Sequence, residues 1–229
     1  MRIVGLIGGT GWISTAEYYR YINEEVNRRL GGLNFAECII YSIDFGRIDA
    51  LKKSNREPDV FYLLLDAAKK LERAGAEGLA LCANTMHKFV DQLEPELTIP
   101  IIHVASATGR EINARRLQTI GLLGTKYTTE LDFYKKRLKA LGIETLVPES
   151  DDRDFMEHAI LDELLKGVFK TETKERLLRI IRDLGVKGAQ GIVLGCTEIP
   201  LIIREGDVDL PLFNTTLIHS RAIVDFALG

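Results

Sequence analysis

The sequence contains an internal repeat, and this repeat constrains the fold more than any other feature. The segment RIVGLIGGT at 2–10 resembles RLQTIGLLGT at 116–125, and GAEGLALCANT at 75–85 resembles GAQGIVLGCTE at 188–198. The spacing agrees as well, because 65 residues lead from Thr10 to Gly75 and 63 lead from Thr125 to Gly188. Agreement in residue type and spacing at two anchors predicts two halves with the same strand-and-turn plan.

Short apolar runs alternate with segments of helical periodicity along the whole chain. This alternation is typical of parallel sheets covered by helices, so we expect an α/β fold with two pseudo-symmetric parallel-sheet domains. The first domain is predicted to hold residues 1–100 plus about 211–229, and the second residues 101–210. Such sheets bind ligands outside the carboxyl ends of their strands. We therefore expect the active site in the cleft between the two domains. Strands are predicted at 3–7, 38–43, 78–81, 100–104, 119–123, 144–147 and 191–194, and helices at 14–30, 59–73, 106–116, 129–141, 154–166, 171–184 and 219–228.

Composition excludes several other classes of protein. With 46% hydrophobic residues and a net charge of −3, the chain has neither the low hydrophobicity of a disordered chain nor the basic excess of a general nucleic-acid binder. No run of 18 apolar residues predicts a membrane span. The three cysteines, at 38, 82 and 196, form no CxxC pair, which favours reduced thiols in a cytoplasmic protein. The four histidines lack ligand spacing, so no metal site is expected.

Two kinds of residue at predicted strand ends are candidates for chemistry. The glycine-rich turn from Gly5 to Gly11 could present backbone N–H groups to an anion, either a small carboxylate or, with Asp44 holding a ribose, a nucleotide. Cys82 and Cys196 follow repeat-related strands, where a thiolate can be stabilised by helix dipoles and N–H donors. This placement suits a base or nucleophile, whereas Cys38 lies within a predicted strand and is interpreted as a residue of the hydrophobic core.

Four motifs resemble the cofactor-independent aspartate/glutamate racemase superfamily: IGGTGWISTAEYYRYINE, LCANTMHK, LLGTKYTTELDFY and QGIVLGCTEIP. The resemblance covers nearly the whole chain, and Glu198 within GCTE points to the aspartate racemase branch. It implies two pseudo-symmetric α/β domains, a homodimer, and no pyridoxal phosphate, other cofactor or metal. It also implies a mechanism in which two cysteines act on opposite faces of the substrate Cα, one removing a proton and the other delivering one.

The sequence departs from this pattern at one catalytic position. The family motif has a cysteine directly before Asn84, where this chain has Ala83, and Cys82 comes one residue earlier. The repeat agrees, because Cys196 is eight residues after Gly188 and Ala83 is eight residues after Gly75. A slip of one residue on a strand turns the side chain to the opposite face. We therefore expect Cys196 to be the principal catalytic thiol, with Cys82 able to take part only if the turn swings it into the site.

The resemblance thus predicts a racemase of acidic amino acids, aspartate or glutamate, with weak or L-specific activity because of Ala83. Two alternatives stay open, a single-cysteine decarboxylase or isomerase of the same superfamily and a catalytically impaired binder of acidic amino acids or dicarboxylates. No nucleic acid or membrane is expected as a partner. The catalytic candidates are Cys196 and Cys82; the substrate-binding candidates carried over from the family are Gly9, Thr10, Lys52, Ala83, Asn84, Thr85, Thr125, Thr128, Lys166, Thr197 and Glu198.

Overall fold

A computed structural model describes all 229 residues of the chain. The chain forms two compact units, Met1–His103 with His219–Gly229, and Val104–Ile218. The strands are β1 (Val4–Gly8), β2 (Cys38–Ser42), β3 (Gly78–Leu81), β4 (Thr119–Leu123), β5 (Glu144–Leu146), β6 (Ile192–Leu194) and β7 (Leu212–Asn214). The helices are α1 (Trp12–Leu30), α2 (Phe45–Lys53), α3 (Val60–Arg73), α4 (Val90–Leu93), α5 (Val104–Ala114), α6 (Lys126–Glu130), α7 (Asp132–Lys139), α8 (Ser150–His158), α9 (Thr171–Val186), α10 (Ile199–Ile202) and α11 (Thr215–Leu228).

The first unit is built on a parallel three-stranded sheet in the order β2-β1-β3. The central strand β1 is buried along its whole length, as expected for a strand with helices on both faces. Apolar residues of α3 recur at helical spacing and cover one face of the sheet. Residues of α1 and of the last turns of α11 cover the other face. A single parallel bridge between Leu79 and Ile101 extends the sheet beyond β3.

The second unit repeats this plan with four parallel strands in the order β5-β4-β6-β7. Residues of α8 and α9 cover one face of the sheet, and residues of α5 and α7 cover the other. The central strand β4 and its neighbour β6 are buried almost completely. The predicted α/β fold with two parallel-sheet domains is therefore confirmed.

Equivalent glycines show how closely the two units correspond. A Cβ atom on Gly5 would lie 2.6 Å from the Leu79 side chain, and one on Gly121 would lie 2.7 Å from the Ile192 side chain. A helix leucine also packs against each glycine: the Cβ on Gly5 would lie 3.1 Å from Leu71, and the Cβ on Gly121 would lie 2.9 Å from Leu184. Both central strands thus need a glycine where the neighbouring strand and helix approach them closely.

Several predicted boundaries differ from the structure. The predicted strand 100–104 is only the bridge at Ile101, because α5 already begins at Val104. The predicted helix 129–141 is broken at Leu131, whose ψ of 155° is extended. The predicted helix 154–166 is α8 followed by a π-helical turn and a 3₁₀ turn. Helix α2 and strand β7 were not predicted.

The domain boundary near 211 is also displaced. Residues 211–218 belong to the second unit, because β7 pairs with β6 in a register that joins Leu212 to Ile192. The chain returns to the first unit only at His219, inside α11. No helix of the structure has the length and apolar character required to cross a bilayer.

Candidate active site

In the second unit, the loops after β4 and β6 lie side by side at the carboxyl end of the sheet. The Gly195 N–H donates to the Leu123 carbonyl oxygen at 2.7 Å, which joins the end of one strand to the end of the other. A Cβ on Gly195 would lie only 2.6 Å from that oxygen, so the close approach requires a glycine. These two loops carry the candidates Thr125 and Thr128 on one side and the segment from Cys196 to Glu198 on the other.

The Cys196 thiol is paired with a buried carboxylate. Its Sγ donates to Glu198 Oε2 at 2.9 Å, and Thr197 Oγ1 donates to the same oxygen at 2.8 Å. Cys196 is 7% exposed and Glu198 is 3% exposed. The buried Cys196 and the half-buried Thr197 thus donate to one carboxylate oxygen and form a short polar network after β6.

The electrostatic surroundings hold Cys196 in its thiol form. Burial raises the pKa of the Cys196 thiol well above its ordinary value, and the adjacent Glu198 raises it further. Glu157 on α8 adds a smaller contribution of the same sign. The Glu157 carboxylate also accepts the Lys126 N–H at 2.8 Å, at the start of α6. Glu157 lies outside the repeated segments, so the sequence pattern does not identify it.

The two threonines of the β4 loop are close to each other. Their hydroxyl oxygens, Thr125 Oγ1 and Thr128 Oγ1, are 3.3 Å apart. A Cβ on Gly124 would lie 3.1 Å from the Thr128 Cβ and 3.2 Å from the Gly195 carbonyl oxygen. The structure therefore brings Thr125, Thr128 and the Cys196 loop together, as strand order alone requires.

The first unit has an equivalent pair of loops, after β1 and β3. The glycine turn after β1 leads directly into α1, with Gly9 at a φ of 86°. A Cβ on Gly9 would overlap the backbone of Ile43. The Gly9 N–H donates to Thr15 Oγ1 at 2.9 Å, and that hydroxyl donates to the Gly11 carbonyl at 3.1 Å. Thr10, between them, is half-buried.

The register of the two units fixes which residue is equivalent to Cys196. The Cys82 N–H donates to the Ile7 carbonyl at 2.9 Å, and this hydrogen bond is equivalent to the one that Gly195 makes to Leu123 in the second unit. Cys82 is therefore equivalent to Gly195, and Ala83 is equivalent to Cys196. Ala83 packs against the cluster on the α3 face. Cys82 packs on the opposite face, among residues of α1 and α11.

Cys82 is a fully buried core thiol. It has no exposed surface, and burial among apolar neighbours raises the pKa of the Cys82 thiol, with a smaller contribution from Cys38. The turn after β3 does not swing its side chain round to the Ala83 face. Neither a base nor a nucleophile is favoured in such surroundings.

Of the other candidates of the first unit, Asn84 and Thr85 follow β3, whereas Lys52 lies on α2. Asn84 is buried and Thr85 half-buried at the start of a 3₁₀ segment, Asn84–Phe89. Lys52 is half-buried in the last turn of α2. Asp44, considered as a ribose ligand, accepts the Gly46 N–H at 3.0 Å and caps α2. In the second unit, Lys166 is 63% exposed and pairs with Asp162.

Three histidines that are distant in sequence form a buried cluster in the first unit. The His87 ring lies 4.6 Å from that of His103 and 5.3 Å from that of His219, centroid to centroid. His219 Nδ1 lies 2.8 Å from the Tyr18 hydroxyl and its Nε2 lies 2.7 Å from the Ile102 carbonyl. No group of three or more histidine, cysteine or acidic side chains has an arrangement that could hold a metal ion.

The repeated parallel sheets, each with polar loops at the carboxyl ends of two adjacent strands, define the class of protein: an α/β protein built from two similar halves. A family model described as Asp/Glu/Hydantoin racemase matches residues 7–223. The chain therefore belongs to the Asp/Glu/Hydantoin racemase family.

Individual relatives agree with this assignment. A crystal structure of a candidate Asp/Glu racemase from Yersinia pestis is 43% identical, covers 100% of both chains and superposes with a TM-score of 0.93. An aspartate racemase homologue from Pyrococcus horikoshii OT3 is 36% identical over 100% of both chains, with a TM-score of 0.85. The broad specificity amino-acid racemase of Bacillus subtilis (strain 168) is 22% identical over 99% of both chains.

Proposed function

We propose that the protein is a cofactor-independent racemase of acidic amino acids, aspartate or glutamate, which moves the substrate α-proton with Cys196. The observation that carries this proposal is the placement of Cys196, two residues after the end of the buried strand β6 and with its S–H donated to the Glu198 carboxylate. Family membership supports the reaction class, and similarity to an aspartate racemase homologue supports the substrate class.

Proton abstraction from Cα leaves negative charge that spreads into the substrate carboxylate. Hydrogen-bond donors around that carboxylate stabilise the charge as it develops. In the second unit, Thr125 and Thr128 provide hydroxyl groups beside the Cys196 loop, whereas the Thr197 hydroxyl is donated to Glu198. We assign the second unit's part in substrate binding to Thr125 and Thr128, and Thr197 stays a prediction. The other binding candidates stay predictions, and so do contacts of Lys52 and Lys166 with the side-chain carboxylate of the substrate.

The first unit supplies no thiol at the position equivalent to Cys196. Ala83 carries no proton, and Cys82 lies in the core on the other face of its sheet. A racemase needs a proton donor on the face opposite the one from which the proton is removed. We therefore propose that the protein exchanges the α-proton readily and inverts the configuration slowly.

The direct test is interconversion of L- and D-aspartate and of L- and D-glutamate, followed by chiral chromatography without added cofactor. Cys196→Ser should lose activity by at least about a hundredfold, the usual contribution of a general acid or base. Ala83→Cys should increase the rate of inversion by at least about tenfold, because it restores a proton carrier at the equivalent position. Cys38→Ser is the matched control, because Cys38 is half-buried on the edge strand β2.

Two results would contradict the proposal. One is wild-type protein that neither exchanges nor inverts any of the four amino acids. The other is a Cys196→Ser variant that keeps the wild-type rate. If Ala83→Cys gives no increase, the explanation for slow inversion fails while the assignment of Cys196 stands.

The single thiol also supports a second candidate, a one-cysteine decarboxylase or isomerase of the superfamily. In that case Cys196 would deliver one proton to one face of a carbanion, and Ala83 would need no proton. Release of CO₂ from a dicarboxylic acid, or a changed double-bond geometry, distinguishes this candidate from a racemase. The cytoplasmic location and the homodimer stay predictions.

A further inference from the structure

We propose that Glu198 is the proton acceptor of Cys196, and that the two side chains act as one unit that can hold either one or two protons. This inference rests on the proposed function. Its geometric basis is the 2.9 Å contact from Cys196 Sγ to Glu198 Oε2, in which a thiol faces a carboxylate that is almost completely buried.

The contact explains how a thiol in this site can act as a base. Burial and the charges of Glu198 and Glu157 raise the pKa of Cys196, so the resting thiol is protonated and cannot remove a proton. Transfer of the S–H proton to Glu198 Oε2 breaks the S–H bond, forms a carboxylic acid and leaves the thiolate. The charge stays within the pair, and its position changes from oxygen to sulfur.

The following step balances without any further reactant. The thiolate takes the substrate α-proton, the S–H bond forms again, and the electron pair of the C–H bond stays on the substrate and spreads into its carboxylate. The pair now holds two protons, one on sulfur and one on Glu198. Return of the proton from sulfur to Cα, followed by return of the Glu198 proton to sulfur, restores the starting state, and exchange of the sulfur proton with water before its return exchanges the substrate hydrogen.

Glu198 has no counterpart in the first unit. Glu198 is ten residues after Gly188, and the residue ten after Gly75 is Thr85. The equivalent segments are thus Cys196-Thr197-Glu198 in one unit and Ala83-Asn84-Thr85 in the other. The thiol and the carboxylate occur together in one unit and are absent together from the other, as expected if each requires the other.

The test separates two effects of Glu198 that have opposite signs. Glu198→Gln removes a negative charge beside the sulfur, so the thiolate should form at lower pH, with the titration midpoint of Cys196 falling by about one unit or more. The same variant removes the proton acceptor, so α-proton exchange with aspartate in deuterated water should fall by about a hundredfold or more. More thiolate and less exchange in one variant is the specific expectation.

The titration is measured by the thiolate absorbance near 240 nm, as the difference between each protein and the same protein carrying Cys196→Ala. The matched control is Glu149→Gln, which removes one carboxylate charge from the surface of the same unit, where Glu149 pairs with Lys187, and leaves the contact between Cys196 and Glu198 in place. It should leave the titration midpoint and the exchange rate unchanged, because Glu149 is exposed to solvent. Glu198→Asp retains a carboxylate on a shorter side chain. It should keep the titration midpoint of Cys196 high and recover part of the exchange. It replaces Glu198→Gln if that variant does not fold.

Three results would overturn the inference. Exchange in Glu198→Gln that equals or exceeds the wild-type rate would show that thiolate formation alone limits the reaction. An unchanged titration midpoint would show that no charged Glu198 lies beside the thiol. Wild-type protein without any exchange would contradict the proposed function and the catalytic step together, and the titration would then report on the thiol–carboxylate contact by itself.

Discussion

Cys82→Ser tests whether the second cysteine of the repeat region belongs to the core or to the chemistry. The substitution replaces a thiol by a hydroxyl at a position with no exposed surface. The neighbours are the apolar side chains of one core cluster, including Leu6, Ile22 and Val224. A thiol is a small hydrophobic group in such surroundings, whereas a hydroxyl there loses its hydrogen bonds to water.

The cost follows from this burial. A buried hydroxyl without a partner costs about 1–3 kcal/mol of unfolding free energy. For a chain of this size, each 1 kcal/mol lowers Tm by about 2–4 °C, so Tm should fall by about 2–12 °C. Cys38→Ser, at a half-buried edge-strand position, should change the unfolding free energy by no more than about 0.5 kcal/mol.

Two measurements on the same samples check the prediction, thermal unfolding by circular dichroism and the rate of α-proton exchange at a temperature where the variant is fully folded. We expect a lower Tm with an exchange rate per folded molecule equal to that of the wild type. A Cys82→Ser protein with wild-type Tm and no exchange would refute the core assignment and make Cys82 a catalytic group.

Two further predictions concern stability. Gly9→Ala should lower the unfolding free energy by about 2–5 kcal/mol in urea titrations, because it combines a positive φ with overlap on the Ile43 backbone. Gly167→Ala, at a left-handed helical position (φ 74°, ψ 20°) with open space around it, should cost only about 1–2 kcal/mol, and equal costs would disprove the overlap. Hydrogen bonds from Arg28 and Arg29 lower the pKa of the buried Glu25 from 4.5 to about 2, so its stabilising contribution is complete above pH 4.5 and is lost as the pH falls towards 2. Glu25→Gln should therefore flatten the acid side of the stability curve, and parallel curves for variant and wild type would contradict this.

The fold could be predicted because its signals are local and occur twice. Buried parallel strands appear as short apolar runs, and the structure begins and ends β3 and β4 at the predicted residues. Counting from Gly75 and Gly188 also indicates that Ala83, not Cys82, is equivalent to Cys196. This deduction works because the strand period is two, so that one residue decides the face.

Other features depend on tertiary contacts that the sequence pattern does not contain. Strand β7 has three residues and no distinctive pattern, and it is defined by its pairing with β6. Glu157 influences Cys196 only because α8 packs on the sheet beside the Cys196 loop. The cluster of His87, His103 and His219 joins segments that are up to 132 residues apart.

We propose one catalytic thiol in this protein, Cys196, and none at the equivalent position Ala83. Incubation of the protein with L-aspartate in deuterated water tests this in one sample, if α-deuteration is followed by NMR and D-aspartate by chiral chromatography. We expect deuterated L-aspartate to accumulate faster than D-aspartate, and both to be lost in Cys196→Ser. Inversion that keeps pace with deuteration, or deuteration that survives in Cys196→Ser, would contradict it.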